Sequence, residues 1–288
     1  MRELQGKPGF TDERKPSQIF DIPGLLSPCF TGRDSHLEQL RSILYIPTQS
    51  ETPNHDRISY RRAAIYGLPG VGKTQLALKY ASHYREHYSA VFFVSASTKV
   101  TLGLGYERIV TLLDLPEKSR TEQTVKVAAA RAWLENSRSS NGRGWLLIVD
   151  NVNPDRLVPD DTNPNSTKLD KARATVADII TDFLPREGFT PQGTTILTTR
   201  KPQAAEKLVG RSAHLCVEVG KMKAEEAVKL LLRASGQSDD GSSGFAERIA
   251  RELGYLPLAI NQAANCTKVL PVDFEGLLEY LRMKKDDV

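Results

Sequence analysis

The chain has 288 residues, with 39 Lys plus Arg against 35 Asp plus Glu and a formal net charge of +4. Its 40% hydrophobic and 26% charged content excludes wholesale disorder, a collagen-like repeat and a coiled-coil rod, and the length suits one large domain or two smaller ones. No apolar run approaches the roughly 20 residues that span a bilayer as a helix, and so small a positive surplus does not point to nucleic acid.

Residues Met1–Thr11 lack the apolar stretch of a secretory leader. Cys29, Cys216 and Cys266 are scattered, with no C-x-x-C pair, which argues against a disulfide framework and a four-ligand zinc site. A reducing compartment, the cytosol, is the expectation.

Met1–Ser27 carries Pro8, Pro16 and Pro23 and little apolar periodicity, so it reads as an extended lead-in. Phe30–Leu44 reads as a helix, with Asp34 or Ser35 as N-cap and Leu37, Leu40, Ile43 and Leu44 on one face. Pro47–Asp56 is a polar loop. Strands are expected at Arg62–Tyr66, Ala90–Ser95, Trp145–Val149, Thr194–Thr198 and His214–Val219. Between them come helices at Lys73–Tyr88, Tyr106–Leu115, Glu122–Asn136 and Leu169–Leu184, with a polar loop over Asn151–Thr167. Continuously apolar strands alternating with helices predict a parallel sheet covered on both faces. From Lys221 onward the pattern is helical only: Lys223–Ala234, Gly244–Leu253, Pro257–Val269 and Phe274–Met283.

Gly67-Leu68-Pro69-Gly70-Val71-Gly72-Lys73-Thr74 fits the phosphate-loop pattern G-x-x-x-x-G-K-[ST], between a predicted strand and a predicted helix. Glycines let successive N–H groups turn toward phosphate oxygens, and the helix start adds its positive dipole end. Lys73 supplies a point charge for the terminal phosphates and Thr74 a hydroxyl for Mg²⁺. The apolar run Trp145–Val149 ends in Asp150, a carboxylate placed to hold that Mg²⁺. The next residue, Asn151, is an amide and cannot take a proton from an attacking water, so hydrolysis is expected to be slow. Thr194–Thr199 leads into Arg200, at the strand end where sheet ligands bind, in position to read a γ-phosphate.

His83-Tyr84-Arg85-Glu86-His87 matches H-x-x-E-H, but it closes the helix that opens at the phosphate loop and no third ligand is evident, so it reads as coincidence. Trp133 and Trp145 read as core.

Together these residues resemble the NB-ARC family of STAND nucleotide switches, in its fungal branch. The resemblance rests on Phe30-Thr31-Gly32-Arg33, GLPGVGKT from Gly67, VFFVSAS from Val91, LLIVDN from Leu146, TTILTTR from Thr194 and Gly254-Tyr255-Leu256-Pro257-Leu258-Ala259, in that order. It implies a five-stranded parallel sheet in the order 5-1-4-3-2 and a helical lid. The implied division is a lead-in at 1–27, a nucleotide-binding domain at 28–220 and the lid at 221–288. It implies that Thr31 and Arg33 meet adenine, that Gly67 and Gly70–Thr74 cradle phosphate, and that Thr74 and Asp150 serve the metal. Arg200 would read the γ-phosphate and Pro257 pack on the base or ribose. The implied ligands are ATP or ADP with Mg²⁺. The implied behaviour is a switch in innate immunity or programmed cell death that assembles into homo-oligomers in its ATP state, with effector and sensor domains outside this chain. The family's winged-helix subdomain, with its ADP-locking histidine, is expected to be absent here. The alternative is a steadily turning-over ATPase or phosphoryl-transfer enzyme.

Overall fold

A computed structural model describes residues 18–24, 26–44, 61–137, 143–152, 180, 182–186, 193–237, 244–270 and 272–286. In chain order the elements are β1 (Ile19–Asp21), α1 (Asp34–Leu44), β2 (Arg61–Tyr66), α2 (Lys73–His83), β3 (Tyr88–Ser95), α3 (Lys99–Leu112), α4 (Gln123–Asn136), β4 (Gly144–Val152), β5 (Gly193–Thr199), α5 (Pro202–Leu208) and β6 (Cys216–Glu218). Four further helices follow among the described residues: α6 (Ala224–Ser235), α7 (Phe245–Glu252), α8 (Pro257–Val269) and α9 (Phe274–Asp286). The loop expected at Pro47–Asp56 and most of the loop and helix expected between Asn151 and Leu184 lie outside the described residues.

Every strand pairs in parallel, in the order β1-β3-β4-β5-β2-β6. The five expected strands keep their expected order, β6-β2-β5-β4-β3. The correction is one of number: the sheet has six strands, because part of the segment read as a lead-in adds at the edge of β3, with Ile19 opposite Ala90. Three residues are too few to show a periodicity, so β1 has no signal of its own. It is held from outside: Arg108 ion-pairs with Asp21, and the Gln18 amide donates to the carbonyls of Arg85 and Tyr88, both at 2.8 Å.

The central strands are buried on both faces, as their unbroken apolar runs require. Val91, Leu146, Ile148 and Ile196 pack under α1 and α2, and Phe92, Leu147 and Leu197 pack under α3 and α4. Trp145 lies fully inside the second layer, its indole N–H donating to the Leu134 carbonyl at 3.0 Å. Helices α6–α9 close on a separate core that includes Leu231, Ile249, Ile260 and Leu277.

Three departures from the expected helices have physical causes. α3 starts at Lys99 rather than Tyr106, behind a reciprocal cap: the Thr98 hydroxyl accepts the Thr101 N–H and the Thr101 hydroxyl accepts the Thr98 N–H. Gly103 and Gly105 mask this helix in the sequence, since glycine is a poor helix former. Gly105 is there because Val94 of β3 leaves no room for a Cβ. α2 ends at His83 and a 3₁₀ turn follows at Arg85–His87, so His83 and His87 share no helical face. α5 is too short for its period to register.

Gly105→Ala should therefore destabilise the protein by about 1–3 kcal/mol through overpacking, although alanine is the better helix former by about 1 kcal/mol. Urea denaturation checks the sign; a more stable variant would refute the close-approach explanation.

Candidate nucleotide-binding site

The phosphate loop leaves β2 at Tyr66 and enters α2 at Lys73. Gly67, Gly70 and Gly72 have φ of 147°, 80° and 94°, conformations that residues with a Cβ rarely adopt. Gly72 is the N-cap of α2 and offers no side chain to cap it. Its first N–H groups are thus left for an anion.

The loop forms one wall of a cavity of about 840 Å³, near the upper end of ordinary small-molecule sites. Of the residues singled out in the sequence, Thr31, Arg33, Gly70, Val71, Gly72, Lys73, Thr74, Asp150, Arg200 and Pro257 all line it. Gly67 does not; it closes the loop from behind, its carbonyl accepting from the Lys73 ammonium at 2.9 Å. The Leu68 carbonyl accepts from the same ammonium, also at 2.9 Å.

The end of β4 supplies the acid. Asp150 Oδ1 accepts from the Thr74 hydroxyl at 2.7 Å and the Thr198 hydroxyl at 2.6 Å. The Thr198 oxygen accepts in turn from the Asn151 N–H at 2.8 Å. Asn151 sits at a φ of 61°, a conformation that asparagine tolerates better than most residues. This places a hydroxyl and a carboxylate side by side at the helix N-terminus. Such hard oxygen donors suit Mg²⁺, which completes its shell with water and phosphate oxygens.

Two cations face that acid. Burial chiefly, and then the charge of nearby Arg200, hold the Lys73 ammonium below the ordinary lysine range, while Asp150 works the other way. Arg200 is exposed to the cavity and makes no hydrogen bond or ion pair among the described residues, so its guanidinium is available to an anion.

Part of the lining is apolar: Leu26, Phe30, Met222 and Leu230, with Pro257 and the Leu258 that packs on the loop, a setting for a flat base. Phe30 and Leu258 belong to motifs visible in the sequence. Leu26, Met222, Leu230 and Asn261 carry no local signal, and Thr198 was hidden inside a strand pattern. Arg33 lines the cavity while its guanidinium is taken up by backbone carbonyls, at 2.7 Å for Gly220.

No family model matches the chain. Over 256 residues it is 30% identical to a nucleotide-binding leucine-rich repeat (NLR)-like protein of the fungus Hyaloscypha variabilis, an alignment that covers 87% of this chain. Over most of its length the chain is thus similar to an NLR-like protein, and its phosphate loop at the end of a parallel-sheet strand agrees with that likeness. The chain spans 23% of that relative's length. Among solved structures, a chain of the E. coli MS115-1 HORMA:CdnC:Trip13 complex superposes with a TM-score of 0.55 at 17% identity, covering 88% of this chain and 89% of that one. Cdc6p from Pyrobaculum aerophilum gives a TM-score of 0.52 at 16% identity, covering 85% and 66%. At those identities both speak for the fold alone. No helix among the described residues is long and apolar enough to cross a membrane.

Two outcomes follow from the site's electrostatics. Affinity for inorganic tripolyphosphate should fall on the alkaline side, starting below the ordinary lysine value of 10.5. The free protein's Lys73 sheds its proton early and must regain it on binding; Lys73→Arg, which stays charged, should flatten the decline, as calorimetry across pH would show. Thr198→Val should weaken Mg²⁺-dependent nucleotide binding by about 10-fold, because it leaves the Asn151 N–H unpaired and Asp150 less firmly held. An unchanged affinity in equilibrium titration with Mg²⁺ would contradict that role.

Proposed function

We propose that this module is an adenine-nucleotide switch in which ADP holds the α/β part and the helical lid together and ATP favours a different arrangement. The observation that carries the reading is that one cavity is walled by both parts. The Leu258 N–H at the start of α8 donates to the Gly70 carbonyl of the phosphate loop at 3.2 Å. Pro257, Asn261, Met222 and Leu230 face the same space as Lys73 and Arg200. A ligand there touches loop and lid at once, so its binding free energy depends on how the two are disposed, which a nucleotide-driven switch requires.

On this reading the domain division is 1–27, 28–220 and 221–288. Thr31 and Pro257 meet the base or ribose. Gly70–Thr74 hold the phosphates, Thr74 and Asp150 the Mg²⁺, and Arg200 the γ-phosphate. Bound Mg²⁺ would neutralise phosphate charge; the protein's part is to orient the polyphosphate and keep Asp150 aimed through the Thr74 and Thr198 hydroxyls. Asn151 lines the cavity beside Asp150, and its amide cannot take a proton from an attacking water, which favours slow hydrolysis and a long-lived ATP state. The setting proposed is cytosolic signalling in immunity or cell death, with effector and sensor segments outside this chain and homo-oligomerisation in the ATP state.

Protein denatured after purification should release adenine nucleotide on chromatography, and Lys73→Ala should release none. Saturating ADP should raise the wild-type melting temperature by mass action and leave that of Lys73→Ala unmoved. Arg200→Ala should keep ADP affinity while losing about 10-fold in ATP affinity, the size of one charge-assisted contact. Absence of both nucleotide and a ligand-induced shift in the wild type would end the reading.

A further inference from the structure

We propose that Arg33 is a positioning residue that couples the phosphate loop to the lid, with Glu226 as its counterpart on the lid. The proposal rests on the nucleotide-switch reading and names the residues through which that switch is wired.

Arg33 is a charged side chain left only 6% exposed. One guanidinium gathers three carbonyls from two places: Val71 in the phosphate loop at 3.3 Å, and Gly220 and Lys221 in the linker to the lid at 2.7 and 3.5 Å. The Arg33 N–H donates to Glu226 Oε1 at 3.2 Å, and Glu226 Oε2 accepts the linker's Lys223 N–H at 3.4 Å. Gly32, at a φ of 67°, has Glu226 where its Cβ would be. The segment is therefore pressed against α6 by shape as well as by hydrogen bonds.

The energetics make this a coupling element. A buried guanidinium is tolerable only while its donors are matched. If the lid and its linker swing away, the Gly220 and Lys221 carbonyls leave with them, and the charge is stranded beside Val71. If the phosphate loop reshapes, the Val71 carbonyl shifts and the same fork must readjust toward the linker. Lysine carries a comparable charge but lacks the planar fork of five donors that meets carbonyls of fixed direction. Arg33 is thus tied into the backbone, and its grip on the linker, not a contact to the base, sets how firmly the lid closes.

The experiment compares the 288-residue wild type with Arg33→Lys and Glu226→Gln by two measurements. One is the release rate of a fluorescent ADP analogue; the other is tryptic cleavage at the exposed Lys221 and Lys223 with and without ADP. In the wild type ADP should slow cleavage. Both variants should still bind ADP but release it about 10-fold faster, within the usual range of coupling between sites, and ADP should no longer protect their linker. Variants that only melt earlier, with wild-type release and protection, overturn the proposal. So does loss of binding in Arg33→Lys with Glu226→Gln unaffected, which would make Arg33 a ligand contact. If the wild type binds no nucleotide, the switch reading fails on its own account. The clasp is then judged on nucleotide-free protein, where equal linker cleavage in all three overturns it.

Discussion

The first four N–H groups of any α-helix lack partners within it, and at the start of α2 the N-cap glycine offers no side chain to them. A serine or aspartate at Gly72 would cap the helix and fill the spot; glycine at a φ of 94° leaves it open. The rest of the architecture serves that opening. The parallel sheet brings the carboxyl ends of β2, β4 and β5 to one edge, so the loop, Asp150 and Arg200 converge although they lie far apart in sequence.

Charge is arranged around the same point. Lys73 lies back on the carbonyls of its own loop, and Arg200 stands nearby with no hydrogen-bond or ion-pair partner among the described residues. Two like charges held this close are mutually unfavourable, and an anion relieves them. Asp150 is steadied by two hydroxyls rather than paired to a cation, which keeps its carboxylate free for a metal. The helical lid then supplies much of the apolar wall, so one ligand meets electrostatic recognition at one end and burial at the other.

What could be read in advance followed from the range of the interactions. Doubly buried strands announce themselves as runs such as Trp145–Val149, and the phosphate loop as a spacing of glycines before Lys73, because both depend on residues adjacent in the chain. β1 could not be read, since three residues become a strand only by pairing with β3. α3 was truncated because Gly103 and Gly105 argue locally against a helix, whereas packing against Val94 demands the second and the Gln123 side chain crowds the first. Tertiary contact overrode propensity there.

The division holds for the site as well. The sequence alone singled out the charged part of the lining, Gly70–Thr74 with Asp150 and Arg200, because backbone turn, helix start and strand end are local properties. Only the tertiary structure decided the apolar part. Leu26, Met222 and Leu230 become a wall when the lid packs over the loop. Arg33 is drawn away from solvent by carbonyls nearly 190 positions later in the chain, at Gly220 and Lys221. A guanidinium's partners are set by which backbone oxygens the fold brings within about 3 Å, and no local pattern encodes that.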